Sequence, residues 1–221
     1  FQNYYGVRDK QVSNCIFKDN REGIWTFRLD NSNISNNEFI DTPIGLYVQN
    51  EAEDSVIDSN RLHFLQFADD IQFHSFWFNG SLYRSNFTNN LISLDMYIFE
   101  VPQLEYGNST GVYVKGGSDN YIAHNNVSVP FRSGFFGTCM LIDSAGSNNI
   151  HGNEFDKCNR ALLLNSSDNN EILFNYFEDN GVSLILENSH YNRISNNSVS
   201  AYYIEPGHYR SLWEKGILLN C

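Results

Sequence analysis

Six side chains in this sequence carry acid, base or aromatic chemistry that would combine if the fold brings them to one surface: Tyr47, His74, Asp95, Tyr113, Lys115 and Asp143. A carboxylate pair such as Asp95 and Asp143 can act as general acid and general base in glycoside hydrolysis. Inversion requires roughly 6.5–9.5 Å between the two carboxyl groups. An elimination would instead need a base such as Lys115 or His74 to take a proton next to a uronate, with Asp carboxylates holding a calcium ion against the sugar acid. Calcium is therefore the cofactor expected if the protein is a lyase, and otherwise none is predicted. Aromatic rings supply flat faces for sugar stacking, and Trp25, Tyr47, Tyr97, Tyr113 and Trp213 are the candidates for it.

Bringing these residues together falls to a repeat. A motif of the form I-x-x-N-x-F returns about every 22 residues, as in Ile34-Ser35-Asn36-Asn37-Glu38-Phe39. It is degenerate at Val12-Ser13-Asn14-Cys15-Ile16-Phe17. Further copies are read at Ile57, Asn60, Leu62; at Leu82, Ser85, Phe87; and at Ile122, Asn125, Val127. Three closing copies are Ile150, Asn153, Phe155; Ile172, Asn175, Phe177; and Ile194, Asn197, Val199. About twelve residues after each motif comes a short alternating run, such as Gly45-Leu46-Tyr47-Val48, Gly111-Val112-Tyr113-Val114 or Ala161-Leu162-Leu163-Leu164. Period-two alternation marks strands, and a fixed period of this length marks a solenoid.

Together they predict an all-β chain, a right-handed single-stranded parallel β-helix of about 8–10 coils, filling residues 1–221 as one domain. A leucine-rich repeat has a similar period, but it needs an apolar residue two places before Ile34 and its equivalents. Ser32, Ser55, Gly80, Asn120, Asn148, Asn170 and Asn192 stand there instead. Inside the coils the motif predicts an asparagine ladder through Asn37, Asn60, Asn125, Asn153, Asn175 and Asn197, with Cys15 and Ser85 as substitutes in two rungs. Behind it lies a predicted apolar column of Phe17, Phe39, Leu62, Phe87, Val127, Phe155, Phe177 and Val199.

These motifs resemble those of the parallel β-helix repeat proteins, the NosD-like and pectate-lyase-like superfamily whose repeats are described as carbohydrate-binding or sugar-hydrolase types. The resemblance covers residues 12 to 221 and is specific for fold. What it implies for function is broad, because the superfamily includes polysaccharide lyases, hydrolases, epimerases, phage tailspikes and non-catalytic surface proteins. Asp69-Asp70 resembles the paired aspartates of the polygalacturonase branch, yet the N-T-D, G-H-G and R-I-K runs of that branch are missing. A copper role by analogy with NosD finds no ligand cluster, since the histidines are dispersed and His124 and His151 are the nearest to a pair.

Aligning the alternating strands predicts two outward columns. One reads Trp25, Tyr47, Gln72, Asp95, Tyr113, Leu141, Leu163, Ile185 and Leu218; the other reads Phe27, Gln49, His74, Tyr97, Lys115, Asp143, Asn165, Glu187 and Asn220. In this alignment Asp95 and Asp143 lie two to three coils apart, about 10 to 14 Å between backbones. The repeat is interrupted near 97–110 and 200–215, and long loops on a solenoid usually carry binding residues.

Composition sets the setting. Acidic residues outnumber basic ones 26 to 14, a net charge of -12, which disfavours nucleic acid and anionic membrane as partners. No apolar run is long enough for a transmembrane helix. N-x-S/T sequons at Asn33, Asn79, Asn86, Asn108, Asn126, Asn165 and Asn196 are candidate glycosylation acceptors on an extracellular or cell-surface protein. Cys139 aligns with Ala161 one coil later while Cys158 does not, so both are read as core or ladder thiols. No CxxC metal pattern occurs, and no metal is predicted.

The chain opens on Phe1 and ends within a strand-like run, so a segment of a larger surface protein is expected, or self-assembly through uncapped solenoid ends. The leading functional expectation is an envelope scaffold or polysaccharide-recognition module, with polysaccharide or glycan as partner. The alternative is a lyase or hydrolase acting on the outward strands.

Overall fold

The computed structural model describes residues 2–3, 7–67, 74–97, 109–129, 137–200 and 215–220. Three parallel sheets run along one axis. The widest contains Glu22–Asp30, Ile44–Glu53, His74–Phe78, Thr110–Ser118, Thr138–Gly146, Arg160–Asn165, Val182–Glu187 and Lys215–Asn220 in that spatial order. A second sheet stacks eight three-residue strands, from Gln11–Ser13 to Arg193–Ser195. The third stacks eight strands, from Ile16–Lys18 to Ser198–Ser200, of which Arg61–Phe67 and Leu91–Tyr97 have seven residues and the others three. The chain visits the wide, second and third sheets in turn and then rises one coil, which makes an all-β parallel β-helix, as the repeat predicted.

The coil is built from units of five residues. Three residues form a strand, the fourth turns the corner in the left-handed backbone region, and the fifth points a polar side chain inward. At the corner between the second and third sheets the turning residues include Asn36, Ser59, Asn89 and His124, with φ of 54°, 55°, 54° and 56°. Asn and Asp are the non-glycine residues that enter this region most readily, which explains their abundance. The inward residue at this corner forms an unbroken ladder. The backbone N–H of Asn37 donates to Asn60 Oδ1 at 3.1 Å, that of Asn60 to Asn90 at 3.0 Å, that of Asn90 to Asn125 at 3.0 Å, and that of Asn125 to Asn153 at 3.0 Å. The ladder continues through Asn175 to Asn197. Each rung from Asn37 to Asn175 also donates its side-chain amide to the next asparagine and back to a carbonyl of the preceding coil, as Asn153 Nδ2 does to Asn175 Oδ1 and to Ile122 O, both at 2.9 Å.

Two expectations change here. The fourth rung is Asn90, because Phe87 pairs with Ile57 and Ile122 while Ile92 pairs with Leu62 and Val127. Phe87 therefore belongs to the column of Ile34 and Ile57, and Ile92 replaces it in the column of Phe39 and Leu62. Leu82-x-x-Ser85-x-Phe87 and Phe87-x-x-Asn90-x-Ile92 fit the motif equally well, since the pattern recurs with every five-residue unit. Only the lengths of the flanking coils distinguish them. Ser85 instead stands in a second buried ladder, Ser32, Ser55, Ser85, Asn120, Asn148, Asn170 and Asn192, at the preceding corner. Ser167 and Asn170 are likewise fully buried in such ladders.

The second change concerns cysteine. Cys139 and Cys158 form a disulfide with Cα atoms 5.8 Å apart, and both are buried. They are not strand partners, which is why register alone argued against pairing. Cys139 points inward at the start of Thr138–Gly146, while Cys158 is the inward corner residue two places before Arg160, the strand partner of Thr138. A strand residue and a corner residue of adjacent coils thus meet inside the solenoid.

Apolar stacking fills the rest. Phe39, Phe76, Phe87, Phe155 and Phe177 are among the largest fully buried side chains, with Phe155 and Phe177 stacked at 5.3 Å and Phe76 edge-on to Phe87 at 5.4 Å. Small residues open the wide-sheet strands because these rings approach closely: a Cβ on Gly23 would lie 2.5 Å from the Phe39 ring.

Candidate functional site

The outward side of the wide sheet carries one continuous row. In register it reads Trp25, Tyr47, Trp77, Tyr113, Leu141, Leu163 and Ile185. Adjacent coils stand about 4.8 Å apart, so the first four members present one aromatic ring per coil. The Trp25 and Tyr47 centroids are 6.3 Å apart and those of Tyr47 and Trp77 4.6 Å. His74 lies beside the row, 4.8 Å from both the Trp77 and Tyr113 rings. All five are half-buried.

Polar groups fix these rings and leave others unused. Asn79 Nδ2 donates to Tyr47 Oη at 3.2 Å. Tyr113 Oη donates to Asp143 Oδ2 at 3.2 Å, and Asp143 Oδ1 accepts from Asn165 Nδ2 at 3.0 Å and Ser144 Oγ at 3.2 Å. Burial pushes the Tyr113 phenol up to about 12, helped by the adjacent Asp143 charge and the hydrogen bond to it, so the phenol remains a donor at neutral pH. Burial holds His74 down at about 4, which keeps its imidazole neutral. Its Nδ1 and the Trp77 Nε1 are both buried without a hydrogen-bond partner.

Several sequence candidates fall elsewhere. Asp95 and Tyr97 pair with Leu65 and Phe67 on the third sheet, so Asp95 and Asp143 do not share a face and the acid–base pair drawn from the outward columns does not form. The outward columns place two coils, through Gln72 and Asp95, between Tyr47 and Tyr113, where the structure has one, through Trp77. Phe76-Trp77-Phe78 matches Leu46-Tyr47-Val48 and was the signal available for it. Gln72, Asp69, Asp70, Asn108 and Trp213 lie outside the described residues. Lys115 is exposed, and its strand partner is Asp143. Among the sequons, Asn79 and Asn165 are tied to the site as above, Asn126 donates to Glu154 at 2.9 Å, and Asn33 Oδ1 is buried without a partner. Asn86 and Asn196 are exposed.

His124 and His151 do meet, edge to face at 5.6 Å, on the far side of the solenoid beside Phe174. Among the described residues no group of three or more His, Cys, Asp or Glu side chains could hold a metal ion. No helix among them is long and apolar enough to cross a membrane.

Comparison with known proteins places residues 3–128 under the family model described as a right handed beta helix region. Residues 103–212 match the model described as periplasmic copper-binding protein (NosD), although the described residues offer no copper ligand set. Among solved structures, the enzymatically active domain of bacteriophage CBA120 tailspike protein 2 aligns over 95% of this chain at 12% identity, with a TM-score of 0.35. This chain spans 38% of that structure's length. No curated protein matches.

Proposed function

The chain belongs to the right-handed β-helix family, and on that premise we propose that it is a polysaccharide-recognition module of the periplasm, cell surface or extracellular space. The outward row Trp25, Tyr47, Trp77 and Tyr113 is its binding surface. The observation that carries this reading is the row itself: four half-buried rings in register on consecutive coils, with Asn79 hydrogen-bonded to Tyr47 and Asp143 to Tyr113 beside them. Sugar rings offer an apolar C–H face to an aromatic ring and hydroxyls to the groups around it, and both are provided here. The buried disulfide and the similarity to a family described as periplasmic support a compartment outside the cytoplasm.

Asp143 accepts three hydrogen bonds, from Tyr113, Asn165 and Ser144, which fix it beside the last ring of the row. The proposal is tested by titrating glycans against the wild type and Trp77→Ala. Loss of about tenfold or more in affinity is expected, with the thermal midpoint lowered only by the few degrees that removing a half-buried ring costs. Equal affinity for the two proteins would remove the row from the binding surface.

A further inference from the structure

The row sets both the direction and the charge of what it can hold. Its rings follow the solenoid axis, and one coil rises about 4.8 Å, close to the length of one pyranose unit in an extended chain. The row stops being aromatic at Leu141, and beyond it Leu163 and Ile185 are buried. No charged residue stands in the row. In the neighbouring outward row, Lys115 and Asp143 are strand partners of opposite sign, followed by Asn165 and Glu187. The local charge therefore adds nothing to favour an anion, while the whole chain carries -12 and repels one.

Resting on the glycan-binding reading above, we propose that this face holds an uncharged polysaccharide laid parallel to the solenoid axis, one sugar unit to each of the four rings from Trp25 to Tyr113. A uronate polymer, with one negative charge on each unit, is disfavoured.

Isothermal titration with cello-, manno-, xylo- and β-1,3-gluco-oligosaccharides of two to six units, and with polygalacturonate, at low and high salt, tests this. For at least one neutral series, affinity should rise severalfold with each unit up to four, then level off, and should not change with salt, because stacking is not screened. Polygalacturonate should bind about tenfold more weakly or not at all. Tighter binding of polygalacturonate that weakens with salt, and is lost in Trp77→Ala, would overturn the neutral ligand yet leave the face as a glycan site. A plateau at one or two units would overturn the axial placement. No binding to any polymer, or binding unaffected by Trp77→Ala, would overturn the glycan reading itself.

Discussion

Two rows run the length of this solenoid, each with one residue per coil, and they are finished in opposite ways. The inward row from Asn37 to Asn175 is buried, with every amide donating and accepting between neighbouring coils. The outward row from Trp25 to Tyr113 is half-buried, and beside it two polar groups lack partners. Equal spacing thus serves two ends: a buried, saturated row holds coils together, while a partly exposed row keeps ring surface for a ligand. The contrast predicts that substitutions in the first row change stability and those in the second change binding.

The sharpest way to break that division is Asn153→Ala. It strands the backbone and side-chain donors of Asn125 and the carbonyl of Ile122, so denaturant unfolding should show a loss of about 4 kcal/mol. A loss under about 1 kcal/mol would mean that the ladder is not what joins the coils. Next in size, removing the disulfide by the Cys139→Ala, Cys158→Ala double substitution should cost about 3 kcal/mol, with glycan affinity unchanged because the bond faces the interior.

Crossing to the outward row, His74 should give the protein a distinctive acid response. Its folded-state value of about 4 lies below the ordinary 6.5, so the unfolded chain binds more protons between those values. The stability that neutral His74 contributes is complete above about 6.5 and is lost as pH falls toward 4. His74→Gln should flatten that part of the stability–pH curve; an unchanged curve would show that the imidazole is not held neutral. The smallest effect belongs to Asp143→Asn. It removes the charge next to Tyr113, so the phenol, followed by NMR, should titrate below 12, though burial keeps it above the ordinary 10. A titration that did not move would disconnect Asp143 from the row.

The solenoid was legible because its physics is local and repeated: Ile34, Asn37 and Phe39 have the same tasks in every coil. What misled was the same repetition on a shorter scale. A five-residue unit lets Leu82, Ser85 and Phe87 imitate the following Phe87, Asn90 and Ile92, and in the middle coils the spacing that would separate them is altered by extra residues. From Asn60 to Asn90 the ladder advances 30 residues and from Asn90 to Asn125 it advances 35, against 22 from Asn153 to Asn175. Trp25, Tyr47 and Tyr113 fell into their row because their coils are regular around the strand, whereas Trp77 follows an insertion. The disulfide escaped because it joins a strand to a corner, a relation that strand register does not express.

The most direct test of the division between the rows is a paired measurement on Trp77→Ala: affinity for a neutral tetrasaccharide bound by the wild type, and the thermal midpoint of the same sample. The account predicts about tenfold or greater loss of affinity with the midpoint lowered by no more than a few degrees. A lowered midpoint with affinity intact would contradict it, and would make the aromatic row a part of the solenoid's own packing.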